Sequence, residues 1–181
     1  LVGIVTWQVF LKTRPDARAF FQEAKVLAAH SSSHLEGRLN NPKVITLLEK
    51  TVKADPNFAE AQAELGLAYV IRLFLYAPEE KDLETKAYLA IDRALSLKPD
   101  LPVAYVARGR LKWTPFNHFP HEDASNDFRH ALALDPNLDE ARHYLGLVFV
   151  HVGLIEEARA AFKAAVALNP SNNGAQYRLG E

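Results

Sequence analysis

Apolar residues between 138 and 170, LDEARHYLGLVFVHVGLIEEARAAFKAAVALNP, recur at helical spacing in two runs. Ala141, Tyr144, Leu145, Val148 and Phe149 form the first; Ala158, Phe162, Ala165, Val166 and Leu168 form the second. Spacings of three and four residues place each run on one face of a helix. Gly153 marks the turn between them and Pro170 the end of the second. Gly146 falls inside the first run, where glycine costs about 1 kcal/mol relative to alanine. That cost is expected where another backbone approaches closely, and Ala158 and Ala165 are small enough for the same contact. The pattern predicts a pair of packed helices.

Earlier stretches repeat it. Gly146, Ala158, Ala165 and Pro170 lie 12, 7 and 5 residues apart; Gly109, Ala124, Ala131 and Pro136 lie 15, 7 and 5 apart. Gly66, Ala87, Ala94 and Pro99 lie 21, 7 and 5 apart, and Val44, Thr51 and Pro56 keep the 7 and 5. From each proline to the next glycine is 10: Pro56 to Gly66, Pro99 to Gly109, Pro136 to Gly146, Pro170 to Gly180. Variation is confined to the turn within each pair, where added length costs little. These spacings predict an all-α solenoid.

The motifs YLG...F...G...EA...F..A..LNP, ELG..Y...A......A..LKP and RG......A...F..ALALDP resemble the tetratricopeptide repeat (TPR), in its bacterial type. The resemblance covers residues 42–181, and only Leu138–Pro170 has the family's uninterrupted length of about 34 residues. The copy ending at Pro136 departs from the family at Lys112, where an aromatic is usual. The resemblance implies a right-handed solenoid of antiparallel helix pairs. Its expected parts are a degenerate half-repeat at 42–56, repeats at 57–99, 100–136 and 137–170, and the start of a further repeat at 171–181.

Upstream, Leu1–Leu11 (LVGIVTWQVFL) is apolar except for Thr6 and Gln8, and Lys12, Arg14 and Arg18 follow. Eleven helical residues span about 17 Å against roughly 30 Å of bilayer core, so alone the stretch is too short to cross. It reads as the end of a truncated anchor over residues 1–14, carried by Leu1, Val2, Ile4, Val5, Trp7, Val9, Phe10 and Leu11. The alternative is an apolar helix docked on the first repeat, or the remnant of a signal segment. If the segment is an anchor, its basic flank implies that the repeats lie on the cytoplasmic side of the membrane. Residues 15–41 read as a capping helix and connector, the helix either closing the open end of the solenoid or forming a degenerate first helix. Asp16–His30 is the helix, with Phe20, Phe21, Ala24, Leu27 and Ala28 inward; Ser31–Ser33 and Asn40–Asn41 interrupt the pattern. A second helix is then expected from Pro42 to Ala54.

Two stretches stand out. VIRLFLY at 70–76 is apolar nearly all round, so either the insertion Ala77–Lys86 folds over it or it forms an exposed apolar ridge. The loop TPFNHFPHEDA at 114–124 brings His118, His121 and Glu122 close in sequence, but Pro115 and Pro120 prevent the single-helix spacing of an HExxH metal motif. Recognition of a partner by this rigid aromatic loop, through Phe116, His118 and Phe119, is the expected role.

Composition narrows the rest. The 181 residues carry a net charge of −1 and no basic run, so no nucleic-acid partner is expected. Cysteine is absent, which excludes disulfides and thiolate chemistry. Methionine is absent too, and Glu181 falls just after Gly180 inside a new first helix, so the chain is expected to be a piece of a longer protein. No phosphate-binding glycine loop and no nucleophile–base pair is legible; neither catalysis nor a cofactor or metal is expected.

The resemblance implies a concave groove lined by the first helix of each pair. Carried over by position, its residues are Glu60, Ala63, Leu67 and Val70, then Val103, Val106, Arg110 and Trp113, then Glu140, His143, Leu147 and Val150. Family members that clamp the acidic end of chaperones use several Lys, Asn and Arg residues there; only Arg110 is of that kind, so that role is not expected. An amphipathic helix or apolar peptide with an acidic residue would suit Arg110, unless Arg110 pairs with Glu140. Two functions of different class follow. One is a membrane-tethered, non-catalytic scaffold that binds a partner helix or membrane-complex subunits and helps assemble a larger complex. The other is the regulatory repeat region of a longer signalling protein with a kinase, cyclase or winged-helix domain.

Overall fold

A computed structural model describes residues 16–29, 34–80 and 82–180. The helices are α1 (Ala17–Ala29), α2 (His34–Ala54), α3 (Ala59–Ile71), α4 (Asp82–Leu97), α5 (Pro102–Lys112), α6 (His121–Leu134), α7 (Asp139–His151), α8 (Ile155–Leu168) and α9 (Asn173–Gly180). A π-helical turn, Arg72–Tyr76, prolongs α3, and a 3-10 turn, Pro115–Asn117, follows α5. Each odd-numbered helix from α1 to α7 packs chiefly on the even-numbered one after it, while α3, α5 and α7 stack in series. This is the all-α solenoid of helix pairs that the spacings imply. The apolar segment 1–11 lies outside the described residues.

The periodic glycines make room for side chains, where the sequence suggested a backbone. A Cβ on Gly66 would sit 2.5 Å from Ile91, one on Gly109 2.7 Å from the Phe128 ring, and one on Gly146 2.6 Å from the Phe162 ring. Ile91, Phe128 and Phe162 each precede by three residues the second small residue of their own repeat, and all are buried.

The prolines between pairs are equally systematic. Asp55, Asp135 and Asn169 each accept, through Oδ1, the backbone N–H two residues on, at 3.0, 2.9 and 3.0 Å. Six residues after each proline, a side chain donates back to the proline carbonyl. Gln62 donates to Pro56 (3.3 Å), Tyr105 to Pro99 (2.7 Å), Arg142 to Pro136 (2.8 Å) and Gln176 to Pro170 (2.6 Å). Three different residue types thus make one bond at four equivalent positions, which no identity-based reading of the repeat detects.

The first pair departs from expectation. α2 begins at His34 and runs through Pro42, although an interior proline costs about 3 kcal/mol. Tertiary contacts hold the turns ahead of it. Gly37 is buried against the Tyr76 hydroxyl, and buried Asn41 donates to the Ala68 carbonyl at 3.0 Å. Partnered by this longer helix, α1 takes the place of a first helix, with Asp16 Oδ1 accepting the Arg18 and Ala19 N–H groups at its start. Ala24 is buried and Phe20, Phe21 and Leu27 pack on the core, whereas Ala28 is exposed.

The insertion after α3 resolves both readings of VIRLFLY in part. Val70, Leu73 and Ala77 are buried, and Glu80 reaches back to pair with Arg72. Phe74 and Leu75 stay exposed, at 37% and 45%.

A candidate partner-binding face

The inner face of the solenoid is narrower than the positional argument implied. Leu67, Val70 and Val106 belong to one buried cluster with Leu111 and Ala141, and are 4%, 1% and 0% exposed. They form the interior and cannot line a docking surface; Ala63 is likewise fully buried. The solenoid winds tightly enough for Lys25 of α1 to pair with Glu64 of α3 and to act electrostatically on Glu140 of α7. In so tight a coil the middle helix, α5, has little surface left. On α3 Glu60 stays accessible as expected, but beyond it the accessible stripe is rotated by one residue, to Glu64 and Ile71, and continues to Phe74 in the π-helical turn. On α7 the expected positions hold: Glu140, His143 and Leu147 are part-exposed and Val150 is 41% exposed, with Tyr144 between them.

Arg110 is 6% exposed and makes no ion pair among the described residues. Its guanidinium carbon lies 4.2 Å from the centre of the Tyr144 ring and 5.0 Å from that of Phe74, and its buried Nη2 lacks a hydrogen-bond partner. Desolvated cation–π contacts of this kind are worth about 2 kcal/mol. They tie α5 to α7 and to the end of α3. Arg110 is therefore a cross-helix staple, and neither the ion pair with Glu140 nor an open anion site is formed. Next to Tyr144, His143 packs over Gly174. Burial, then the charges of Arg110 and Arg178, hold its pKa down at about 4.

Glu140 is the opposite case. Burial, reinforced by the nearby Glu64 carboxylate, pushes its pKa up to about 7, against the lesser pull of Lys25 and Arg110. The folded state thus holds this proton more tightly than the unfolded chain does, so stability falls as pH rises from the ordinary glutamate range through about 7. Glu140→Gln is expected to raise stability by about 2 kcal/mol near pH 8 and to leave it unchanged near pH 4. Urea melts at the two pH values would show it; equal effects at both would mean that the carboxylate is not strained.

The loop after α5 is anchored at Thr114, which is buried, while Pro115, Asn117 and His118 are exposed. Thr114 Oγ1 accepts the Asn117 N–H at 3.3 Å. His118 and Phe119 both adopt left-handed backbone angles, φ 54° and 50°, rare for side-chain-bearing residues and stored where surrounding structure holds them. Trp113 is buried, at 7% exposure, and belongs to a cluster of rings rather than to an open groove. It meets Phe119 edge-on at 5.4 Å and His151 at 5.3 Å. Its Nε1–H donates to His121 Nδ1 at 2.8 Å. The proton of neutral His121 then sits on Nε2, which faces away as a donor, whereas a metal-bound imidazole donates from its free nitrogen and binds through a lone pair. His118 is exposed; the side chain of Phe116 lies outside the described set.

Of the positions expected to meet a partner, the structure thus gathers His143, Leu147 and Val150 on one face, and leaves Phe119 and His118 on the adjoining loop. Lys25, Glu64 and Tyr144 join that face unforeseen, and Phe74 joins it from the apolar run 70–76 that the sequence marked as a candidate exposed ridge. Glu64, Ile71 and Phe74 are separated by 7 and 3 residues, a helical stripe legible once its rotation is known. Lys25 could not be placed by any pattern within the repeats.

Helix pairs stacked in series, with a side-chain-sized notch at Gly66, Gly109 and Gly146, make this the fold of the tetratricopeptide repeat. A thermophilic TPR protein of Thermus thermophilus is similar in structure over 96% of this chain and 84% of its own, with TM-score 0.67 and 19% identity. YrrB, described as a TPR protein with an unusual peptide-binding site, is similar over 96% of this chain and 79% of its own, with TM-score 0.50 and 19% identity. In sequence, the peroxisomal targeting signal receptor of Candida albicans is 29% identical over 118 residues, 65% of this chain and 19% of the receptor. No protein-family model matches the chain. Among the described residues no helix is long and apolar enough to cross a membrane.

Proposed function

We propose that this chain is a non-catalytic protein-interaction scaffold that holds a partner helix or peptide along the face formed by α3 and α7, and so helps to assemble a larger complex. The observation that carries the reading is an apolar stripe left open beside charged groups. Phe74 and Val150 are 37% and 41% exposed, and Tyr144 and Leu147 of α7 are part-covered. Stacked helix pairs present such surfaces to extended or helical partners, and the similarity to a peptide-binding TPR protein points the same way. The apolar segment 1–11, with Trp7 and the cationic residues after it, supports tethering to a membrane through residues 1–14.

The test is affinity capture of the full-length protein from detergent-solubilised native membranes, compared with Phe74→Glu/Val150→Glu. Both positions are exposed, so the double variant should fold, as circular dichroism would verify. Loss of a stoichiometric partner is expected, as is release of the tethered protein from the membrane fraction on deletion of residues 1–14. Unchanged capture by the folded double variant would move the surface to the loop at 115–122. Replacing Arg110 or Trp113 is less informative, because both are buried and would report stability first.

A further inference from the structure

The helices α3 and α7 carry four carboxylates, and the fold provides for three of them. Glu60 pairs with Lys98 at 3.1 Å, Glu64 pairs with Lys25, and Asp139 accepts from Asn169 and Asn172 at 3.0 and 2.8 Å. Glu140 makes neither a hydrogen bond nor an ion pair with any described residue. It is part-covered on the inner face, where charged groups on α1, α3, α5 and α7 act on it. The two cations within reach are occupied elsewhere. Lys25 is bonded to Glu64, and Arg110 lies under the Phe74 and Tyr144 rings. Glu64 and Asp139 add like charge. A part-covered carboxylate with no partner in its own fold, one helical turn from the apolar stripe, is a group that a partner can satisfy.

We propose that the inner face selects a partner segment carrying a lysine or arginine, whose cationic head pairs with Glu140 while its aliphatic stem lies along Tyr144 and Leu147. Tyr144, Leu147 and Val150 follow Glu140 by 4, 7 and 10 residues on α7, so head and stem have matching surfaces along one stripe. An acidic partner meets the reverse situation. The cation that would attract it is buried, and a third carboxylate would join Glu64 and Glu140. The preference is thus opposite to the acidic partner expected from Arg110. The inference rests on the reading of this face as the binding site.

The experiment is selection from a random peptide library displayed on phage, panned on the immobilised full chain. Selected wild-type binders are expected to carry a basic residue among apolar ones. A synthetic peptide from that set should bind Glu140→Gln about tenfold more weakly, a difference of about 1.4 kcal/mol. Its lysine-to-glutamate counterpart should gain affinity for Glu140→Lys. Melts of each variant would separate lost binding from lost folding, and Glu140→Gln should be no less stable than the wild type. Binders that need Phe74 and Val150 but show no basic bias, or that bind Glu140→Gln equally, would overturn this proposal and leave the face itself standing. Failure to select any binder, or binders indifferent to Phe74→Glu/Val150→Glu, would overturn both.

Discussion

Replacing Phe128 with alanine should cost about 4 kcal/mol of stability, within the range of buried Phe→Ala changes. The ring is fully buried on α6 and fills the notch at Gly109 of α5. Its other face lies 5.8 Å, centre to centre, from the Tyr144 ring of α7. Three helices therefore meet on one side chain, and none can close the void alone. In a chain of this size the loss should lower Tm by roughly 10–15 °C. Because a solenoid is coupled only through its neighbours, denaturant unfolding should also broaden as the pairs before and after Gly109 lose their cooperativity. The notch supplies a second check. Gly109→Ala alone should destabilise, since its Cβ would sit 2.7 Å from the ring. In the Phe128→Ala background it should cost little or even help, by occupying the vacated space. A double-mutant cycle would give this coupling; additive effects would mean that the glycine is not serving the ring.

That notch shows where the sequence was sufficient. The constant interval from Pro99 to Gly109 and from Pro136 to Gly146 places the loop end and the notch of each pair, because both are local features of one repeat. The inner face is different. Whether Val106 or Val150 is covered depends on how tightly successive pairs wind, and that angle is set by the summed shapes of many contacts. Val106 is fully buried and Val150 is 41% exposed, although both are valines on the inner side of a first helix. α2 makes the same point from the other end. Pro42 and the two asparagines before it predict a break on local propensity, yet the Asn41 bond to the Ala68 carbonyl carries the helix through. The candidate site was legible as a helix face but not as a charge pattern. The field at Glu140 depends on Lys25, more than 100 residues earlier in the chain.

The second large effect is expected at Asp127, where Asp127→Asn should cost about 3 kcal/mol, the loss typical when one partner of a buried ion pair is removed. Asp127 is 5% exposed on α6. It receives Arg108 Nε at 3.1 and 3.2 Å and Nη2 at 2.6 Å, and Lys112 Nζ at 3.0 Å. Arg108 and Lys112 lie one turn apart on α5, so a single buried carboxylate bridges two like charges that would otherwise repel and offsets one of them. This explains one of the departures from the family pattern, since Lys112 stands where an aromatic is usual. The lysine belongs to a polar clasp that takes over the role of an apolar contact between α5 and α6. The substitution Lys112→Leu in the Asp127→Asn background should then recover part of the loss, about 1 kcal/mol, because it removes a cation with no counter-charge and restores apolar cover. In the wild-type background the same substitution should destabilise. Thermal melts of the four proteins suffice. If Asp127→Asn cost well under about 1 kcal/mol, the two cations, each 32% exposed, would be turning out to solvent, and the clasp would rank with ordinary surface ion pairs.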